Sequence, residues 1–353
     1  MALLQLLSRL YDEAAWRRRQ WYACRPDAQR RLCRPTISVG ALAVGGSGKT
    51  PLTAYLVQRL VAMGERPAVL SRGYGRVAPR DGVVVVRDHE RVRGELATSG
   101  DEPWMLAQSP ALEGAVVAVA TDRFLAGHLA ETHLGATVHL LDDGFQHLPL
   151  ARGTDLVVVS AADLETPVVL PAGRLRERVS AVSFADAVFL VDVSAESREW
   201  LLANHSVARV FTVRRRVGPV CLVPRTHQGG RLGPVTGPET LAPGERVFAV
   251  AGIARPGRFF DDLQRAGYQV VATRVFPDHY RYTRRTVERF QAEARSVGAR
   301  AIVTTEKDCV RLLAFLPCDP PLATMSLAHE VPSDEGLDAF LAERLAAERV
   351  LNA

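Results

Sequence analysis

The apolar residues of the chain fall into short β-rich runs that alternate with helical patterns. The runs predict strands at 36–44, 67–71, 115–120, 137–141, 155–159 and 187–191. Residues with helical periodicity lie between several of these runs, near 48–63, 101–109 and 122–133. Continuous apolar strands separated by helices are typical of a parallel sheet that is covered by helices on both faces, so we expect an α/β fold.

A second alternation begins after residue 240. The stretches "RVFAVAGIA", "QVVATRVF" and "ARAIVTT" predict strands, and "GRFFDDLQRAG" and "TRRTVERFQAEARSVG" predict helices. Between the two blocks, residues 206–240 are rich in Gly, Pro and Arg and contain two short β-type runs, which predict a hairpin-like linker. We therefore expect an N-terminal segment at 1–35, a larger α/β domain at 36–205, the linker, and a smaller α/β domain at 241–353.

Composition and net charge limit the classes of protein to which the chain could belong. Apolar residues make up 47% of the 353 residues and charged residues 24%, and no apolar stretch approaches the length of a membrane span. The net charge of +5 comes entirely from residues 1–35, where eight arginines face three acids. A neutral body with a basic N-terminal segment argues against nucleic acid as a partner and favours a local anionic surface. Five scattered cysteines fit a reducing compartment.

The stretch "VGALAVGGSGKTPLTAYLV" places a glycine-rich loop between a predicted strand and a predicted helix. In that context glycines let backbone N–H groups approach phosphate oxygens, the lysine reaches the β- and γ-phosphates, and the threonine hydroxyl binds Mg²⁺. The strict pattern has Gly where this chain has Ala43, so only the relaxed form is matched. The alternative is a glycine turn with a surface lysine. The predicted ATP-binding residues are Ala43, Val44, Gly45, Gly46, Ser47, Gly48, Lys49 and Thr50.

The run "ATVHLLDDGFQH" ends a predicted strand with two acids. Asp142 and Asp143 could hold Mg²⁺ together with Thr50, as a phosphate-binding loop requires an acidic partner at a neighbouring strand end. The alternative is a pair of solvated aspartates before a turn.

Several other polar residues follow predicted strands or open predicted helices. Asp101 opens a helix after Gly100, where it could be a catalytic acid or base or simply a helix cap, and His279 could be structural. Side chains at the carboxyl ends of parallel strands face the ligand crevice. The candidates for binding phosphate or sugar there are Arg72, Arg76, Arg123, Gln146 and His147. Some of these arginines could equally be solvated loop residues.

The first residues combine a leucine stripe with aromatic and basic residues. Leu3, Leu6, Leu7 and Leu10 recur at helical spacing, and two tryptophans, a tyrosine and "RRR" follow at 16–22. These are the ingredients of a helix that lies on an anionic membrane surface. The alternative is an amphipathic helix that packs on the domain.

Taken in order, the motifs resemble those of the tetraacyldisaccharide 4′-kinases, the lipid A 4′-kinases of Gram-negative bacteria. The matching stretches are "VGALAVGGSGKTP", "SRGYGR", "GDEPWMLA", "TDR", "LLDDGFQH", "LPAGRLRE", "AGIARPGRFF", "FPDHY" and "TTEKD". The chain departs from the family pattern at Ala41, where the family usually has Asn, and at Arg178, where it usually has Pro.

The resemblance implies a P-loop nucleotide-binding fold. It implies that ATP and Mg²⁺ are used to phosphorylate the 4′-hydroxyl of tetraacyldisaccharide 1-phosphate, a lipid A precursor. It also implies a peripheral place on the cytoplasmic face of the inner membrane, a catalytic pair of Asp101 and His279 that would span the two domains, and metal binding by Asp142 and Asp143. No obligate protein partner is implied, and the role of Lys307 stays open.

Two other classes of P-loop protein remain as alternatives. A GTPase or metal-insertion NTPase would usually carry an N-K-x-D motif, and neither of the two lysines follows an asparagine. A non-enzymatic nucleotide-binding regulator would need neither an acid–histidine pair across domains nor a lipid-facing helix.

Overall fold

The computed structural model describes residues 2–46, 48–79, 81–224 and 239–351. The strands in these residues are β1 (Thr36–Ala41), β2 (Pro67–Ser71), β3 (Val84–Arg87), β4 (Val116–Val119), β5 (Val138–Asp142), β6 (Thr154–Ser160), β7 (Ala187–Val191), β8 (Val210–Leu222), β9 (Arg246–Ala251), β10 (Gln269–Val275), β11 (Ala301–Thr305) and β12 (Leu322–Glu330). The α-helices are α1 (Ala2–Ala23), α2 (Lys49–Ala62), α3 (Leu96–Ser99), α4 (Asp101–Gln108), α5 (Arg123–His133), α6 (Ala161–Glu165), α7 (Ala195–Asn204), α8 (Pro256–Arg265), α9 (Arg284–Ser296), α10 (Glu306–Leu312) and α11 (Leu337–Leu351).

The twelve strands form one sheet, in which the first seven lie in the order β3-β4-β2-β5-β1-β6-β7. All neighbouring pairs among these seven are parallel except β3 with β4, and β1 lies in the middle between β5 and β6. We call these seven strands with α1–α7 the P-loop unit. The predicted parallel α/β fold is confirmed. The antiparallel edge strand β3, which takes three of its residues from the valine run 83–86, was not among the predicted strands.

Strand β8 continues the same sheet from the P-loop unit to the last four strands, which lie in the order β12-β11-β9-β10. Its residues 210–213 pair in parallel with β7, and its residues 214–222 pair antiparallel with β12. We call β9–β12 with α8–α10 the second unit. One strand of 13 residues therefore occupies the region where two short β-type runs were predicted. Leu222 N–H donates to the Glu239 carbonyl at 2.8 Å, and residues 225–238 of the predicted linker lie outside the described residues.

The last helix packs on the P-loop unit. Thr36 N–H, at the start of β1, donates to the buried Glu348 carboxylate at 3.1 Å, and Arg349 donates to Glu65 at 2.7 Å. Leu341 is fully buried in a hydrophobic cluster that contains residues of β1 and also of β9 and β11. Sequence order predicts α11 within a second domain at 241–353, whereas the contacts of Glu348 and Arg349 join this helix to the P-loop unit.

Candidate active site

The glycine-rich loop joins β1 to α2. Strand β1 is buried along its whole length, and α2 begins at Lys49. Gly45, Gly46 and Gly48 have φ angles of 62°, 55° and 84°, in the left-handed region that a Cβ disfavours. Gly48 is the N-cap of α2, so the loop leads into a helix N-terminus, where partial positive charge favours an anion. Ser47, also predicted to bind the nucleotide, lies outside the described residues.

Segments from both units surround this loop. Val44 N–H donates to the Arg174 carbonyl at 2.9 Å, and the Arg174 guanidinium donates to the carbonyls of Val44 and Gly45 at 2.8 and 3.0 Å. On the side of the second unit, a Cβ on Gly45 would lie 3.0 Å from Ala254 Cβ. The absence of a side chain at Gly45 therefore allows the second unit to approach the loop closely.

The loop lysine faces the end of β5. Lys49 Nζ lies 3.2 Å from Asp143 Oδ1, and Arg176 donates to Asp143 Oδ2 at 2.7 Å. Burial would raise the pKa of the Asp143 carboxyl, but the charges of Lys49 and Arg176 hold it below its usual value. Lys49 and Asp143, which were predicted from separate motifs, thus form an ion pair.

The pKa of the neighbouring acid, Asp142, is shifted in the opposite direction from that of Asp143. Asp142 is buried, and Thr53 Oγ1 donates to it at 3.5 Å. Burial and the negative charges of Glu102 and Asp143 raise the pKa of Asp142 to about 7. Burial is the largest of these causes, and the positive charges of Lys49 and Arg123 oppose the rise.

The donor types also suit a magnesium ion. Carboxylate and hydroxyl oxygens are the ligands that Mg²⁺ prefers, so Asp142, Asp143 and the Thr50 hydroxyl fit it by chemistry. Among the residues that the structure describes, no three or more His, Cys, Asp or Glu side chains form a group that could hold a metal by themselves. A cation here would therefore need further ligands, and Mg²⁺ usually takes them from phosphate and water.

Helix α4 presents two acids at its first turn. Gly100, with φ of 89°, occupies the N-cap position, so Asp101 is the first helical residue and is not the cap that the sequence also allowed. Asp101 Oδ2 lies 3.3 Å from Arg311 Nε, and Glu102 Oε1 lies 3.0 Å from Lys307 Nζ. Both cations lie on α10. These contacts hold the two units together at the start of α4.

His279 also meets this cluster from the second unit. Its φ of 58° is left-handed, its N–H donates to Asp278 Oδ1 at 3.0 Å, and its ring lies edge-on to Tyr74 at 5.3 Å. Burial, and then the charge of Lys307, lower the pKa of His279, so the ring is neutral at pH 7. Burial raises the pKa of Asp101, and Arg311 and His279 oppose that rise. The structure thus brings Asp101 and His279 within electrostatic reach of each other.

The predicted arginines lie around the ends of the neighbouring strands. Arg123 begins α5, is buried, and donates to the Asp143 carbonyl at 3.2 Å. Burial lowers the pKa of Arg123, the charges of Asp142 and Asp143 oppose that change, and the charge of Arg72 adds to it. Arg76 donates to Thr121 Oγ1 at 3.3 Å. Positive charge is therefore concentrated beside the acids of β5.

Gln146 and His147 follow the acid pair after Gly144 and Phe145, and the Gln146 side chain is in contact with other parts of this chain. Gln146 Nε2 donates to the Ala41 carbonyl at 3.1 Å and to Glu177 at 3.0 Å, and Arg176 donates to Gln146 Oε1 at 3.3 Å. The Gln146 amide is thus held by this chain itself. Burial, and then nearby arginine charge, lower the pKa of His147 to about 4, so its imidazole is neutral at pH 7.

Four basic residues at the site were not predicted from sequence to bind a ligand: Arg174, Arg176, Lys307 and Arg311. Arg174 and Arg176 lie in the quoted stretch "LPAGRLRE", and Lys307 in "TTEKD". Lys307 and Arg311 are four residues apart, which puts them on one face of α10. That spacing could have indicated that the two side chains act together. Their partners on α4, however, are about 200 positions away in sequence, beyond the range of any local pattern.

The chain is similar to known proteins over nearly its whole length. A family model described as tetraacyldisaccharide-1-P 4′-kinase matches residues 1–346. Tetraacyldisaccharide 4′-kinase of Anaeromyxobacter sp. (strain Fw109-5) is 40% identical over 97% of this chain and 92% of that protein. The enzyme of Geobacter metallireducens is 39% identical over 97% and 98%. The crystal structure of "apo" LpxK from Aquifex aeolicus in complex with ATP superposes with a TM-score of 0.75 at 28% identity, over 98% of this chain and 99% of that one.

Proposed function

The chain belongs to the tetraacyldisaccharide-1-P 4′-kinase family, and within that family's reaction we propose the roles of its individual residues. The protein is a kinase of lipid A biosynthesis. It transfers the γ-phosphate of ATP to the 4′-hydroxyl of tetraacyldisaccharide 1-phosphate. The GTPase and regulator alternatives are thereby set aside.

We assign nucleotide binding to residues 43–50. The left-handed glycines and the N-terminus of α2 supply backbone N–H groups for the phosphates, and Lys49 supplies a positive charge for the transferring group. Lys49 exchanges its contact with Asp143 for the phosphate. Arg176 keeps Asp143 ionised when that exchange occurs, because its own contact with the carboxylate is independent of Lys49.

We assign the metal site to Thr50, Asp142 and Asp143. A Mg²⁺ ion bound by these residues would neutralise negative charge on the phosphates of ATP. This assignment is supported by the position of the two acids at the end of β5, where Asp143 Oδ1 lies 3.2 Å from Lys49 Nζ of the loop helix.

Asp101 is the proposed base for the 4′-hydroxyl, with His279 as its partner. The observation that carries this proposal is that α10 provides cations to both segments: Asp101 Oδ2 lies 3.3 Å from Arg311 Nε, and Lys307 Nζ lies 3.0 Å from Glu102 Oε1 and 3.0 Å from His279 Nε2. Burial raises the pKa of Asp101, which makes it a better proton acceptor than an exposed aspartate.

A double-mutant cycle tests this pair. We expect Asp101→Ala and His279→Ala each to lower kcat severely, with the double variant little worse than the poorer single variant, because residues that act as a unit give non-additive losses. ATP binding, measured by calorimetry, should survive in all three. Fully additive losses would mean two independent roles, and loss of ATP binding in Asp101→Ala would instead place that carboxylate at the nucleotide.

For the substrate phosphate and sugar we propose Arg72, Arg76 and Arg123, and with them Gln146 and His147. The arginines are supported by their concentration beside the acids of β5. Gln146 has the weaker case, because its amide must leave Ala41 and Glu177 before it can reach a ligand.

We also propose that α1 lies on the anionic cytoplasmic surface of the inner membrane. Leu3 and Leu10 are 69% and 61% exposed, and Leu6 and Leu7 are exposed as well, whereas Ser8 on the same helix donates to the Val169 carbonyl at 3.0 Å. The leucines thus point away from the unit on which the helix docks. No helix in the described ranges is long and apolar enough to cross a membrane.

Substitution of the leucines tests the membrane proposal. Leu3→Ser together with Leu10→Ser should weaken sedimentation with anionic phosphatidylglycerol vesicles and raise the KM for the lipid more than the KM for ATP. Val350→Ser, at another exposed apolar position on a helix, is the matched control. Equal vesicle binding by the leucine variant and the wild type would contradict the proposal.

A further inference from the structure

Lys307 lies at the centre of the contacts between the two units. Its ammonium nitrogen is 3.0 Å from Glu102 Oε1, 3.0 Å from His279 Nε2 and 3.3 Å from Asp278 Oδ1. A lysine ammonium has three N–H donors and no acceptor. Three acceptors therefore surround three donors, and the two carboxylates favour the charged ammonium.

This arrangement determines where the proton of His279 resides. Because Lys307 can only donate, Nε2 of His279 must accept, and the proton of the neutral imidazole must be on Nδ1. The neutral state has independent support, since burial and the charge of Lys307 lower the pKa of His279. The other charged groups around the ring are Asp278 on its own loop, Glu102 on α4 and Arg311 on α10.

The backbone of His279 has a strained conformation, so contacts with other residues are needed to hold this residue in place. A non-glycine residue in the left-handed region is strained and persists only where its surroundings determine it. His279 has φ of 58°, and its N–H is held by Asp278, which itself receives a hydrogen bond from Lys307 at 3.3 Å. Lys307 thus holds both the ring and the residue that holds the backbone.

We propose that Lys307 is a positioning residue that fixes His279 as the Nδ1–H tautomer and so confines the imidazole to orienting Asp101. An imidazole whose Nε2 is already an acceptor for Lys307 cannot take a proton there, and its Nδ1–H can only donate. Asp101 is then the group that receives the proton of the 4′-hydroxyl. This inference rests on the proposed Asp101–His279 pair. The pair alone allows His279 either to orient Asp101 or to relay the proton, and the inference decides for orientation.

The tautomer can be measured directly in the full-length protein. Long-range ¹H–¹⁵N spectra of ¹⁵N-histidine-labelled protein at pH 8 distinguish a protonated from an unprotonated ring nitrogen, and His279→Gln identifies the signal among the nine histidines. We expect a protonated Nδ1 and an unprotonated Nε2 in the wild type. A protonated Nε2 would overturn the proposal without any variant of Lys307.

Lys307→Met then tests the consequence for the reaction. The variant keeps the length of the side chain and removes its donors, so the Nε2–H form should appear and kcat should fall on the order of 10²-fold, within the range of acid–base catalysis, while the KM for ATP changes by less than about threefold. Arg274→Met is the matched control, because it removes a cation from an ion pair with Glu293 elsewhere in the second unit. It should change neither readout.

The outcomes separate this inference from the proposed function. If Lys307→Met keeps the wild-type tautomer or the wild-type kcat, the positioning role is wrong. If instead His279→Ala and Asp101→Ala retain wild-type kcat, the proposed pair is wrong whatever the tautomer is.

Discussion

The buried ion pair between Arg19 and Glu177 should be the strongest single contact that holds α1 on the P-loop unit. The two side chains are only 4% and 7% exposed, and the guanidinium also donates to the Phe145 carbonyl at 2.9 Å and lies 3.9 Å from the Phe145 ring centroid. Arg19→Met would leave the Glu177 carboxylate buried without its cation. Removal of one partner of a buried pair costs about 3–5 kcal/mol, a large part of the ~5–15 kcal/mol by which a typical protein is stable.

Urea unfolding of a double-mutant cycle measures this contact. We expect Arg19→Met to lower the free energy of unfolding by about 3–5 kcal/mol and Glu177→Gln to recover part of that loss when it is combined with Arg19→Met, because the stranded charge is then gone. Arg17→Met is the matched control on the same helix, since Arg17 and Glu13 are 79% and 48% exposed and such pairs contribute about 0–1 kcal/mol. An Arg19→Met loss no larger than that of Arg17→Met, or strictly additive losses in the cycle, would refute the reasoning.

Three further predictions follow from positions described above. Gly48→Ala should weaken ATP binding at least tenfold by calorimetry, because the new Cβ would lie 2.5 Å from His329 Cε1 at a φ of 84°; unchanged affinity would show that the loop adapts. Burial raises the pKa of Glu348 from 4.5 to about 7, so between these values the folded state binds more protons than the unfolded state. The free energy of unfolding of the wild type should therefore fall by up to about 3 kcal/mol as the pH rises from 5 to 8. Glu348→Gln should show a smaller loss over that interval in thermal melts, and an equal loss would assign the pH dependence elsewhere. Asp142→Asn should raise the Mg²⁺ concentration needed for half-maximal activity, and an unchanged Mg²⁺ titration would remove Asp142 from the metal site.

Local pattern was sufficient for the P-loop and the strand that precedes it. The apolar run before Gly45 and the helical period after Lys49 together predict a strand, a turn and a helix, and the structure has all three. The acids at the end of β5 were also predictable, because an apolar run that stops at Asp142 places them at a strand end. The partnership of Asp101 with His279 came from family resemblance alone.

The remaining features depend on contacts between distant parts of the chain. Nothing near Gln146 in the sequence indicates that Glu177 and Ala41 would hold its amide. Arg178, which departs from the family pattern, is explained only by the structure, where it pairs with Asp12 of α1 at 3.0 Å and lies over the ring of Trp16. Such contacts are set by tertiary packing, which a local pattern does not contain.

The return of α11 to the P-loop unit changes how the chain should be divided. The chain leaves the P-loop unit after residue 213 of β8 and comes back to it at Leu337, and Glu335 accepts a hydrogen bond from Thr212 N–H at 2.6 Å between the two crossings. Exit and re-entry are thus adjacent, and the second unit is an insertion within the P-loop unit rather than a domain appended to it. A truncation from the C terminus would therefore remove the carboxylate of Glu348 from the start of β1 before it reached any strand of the second unit.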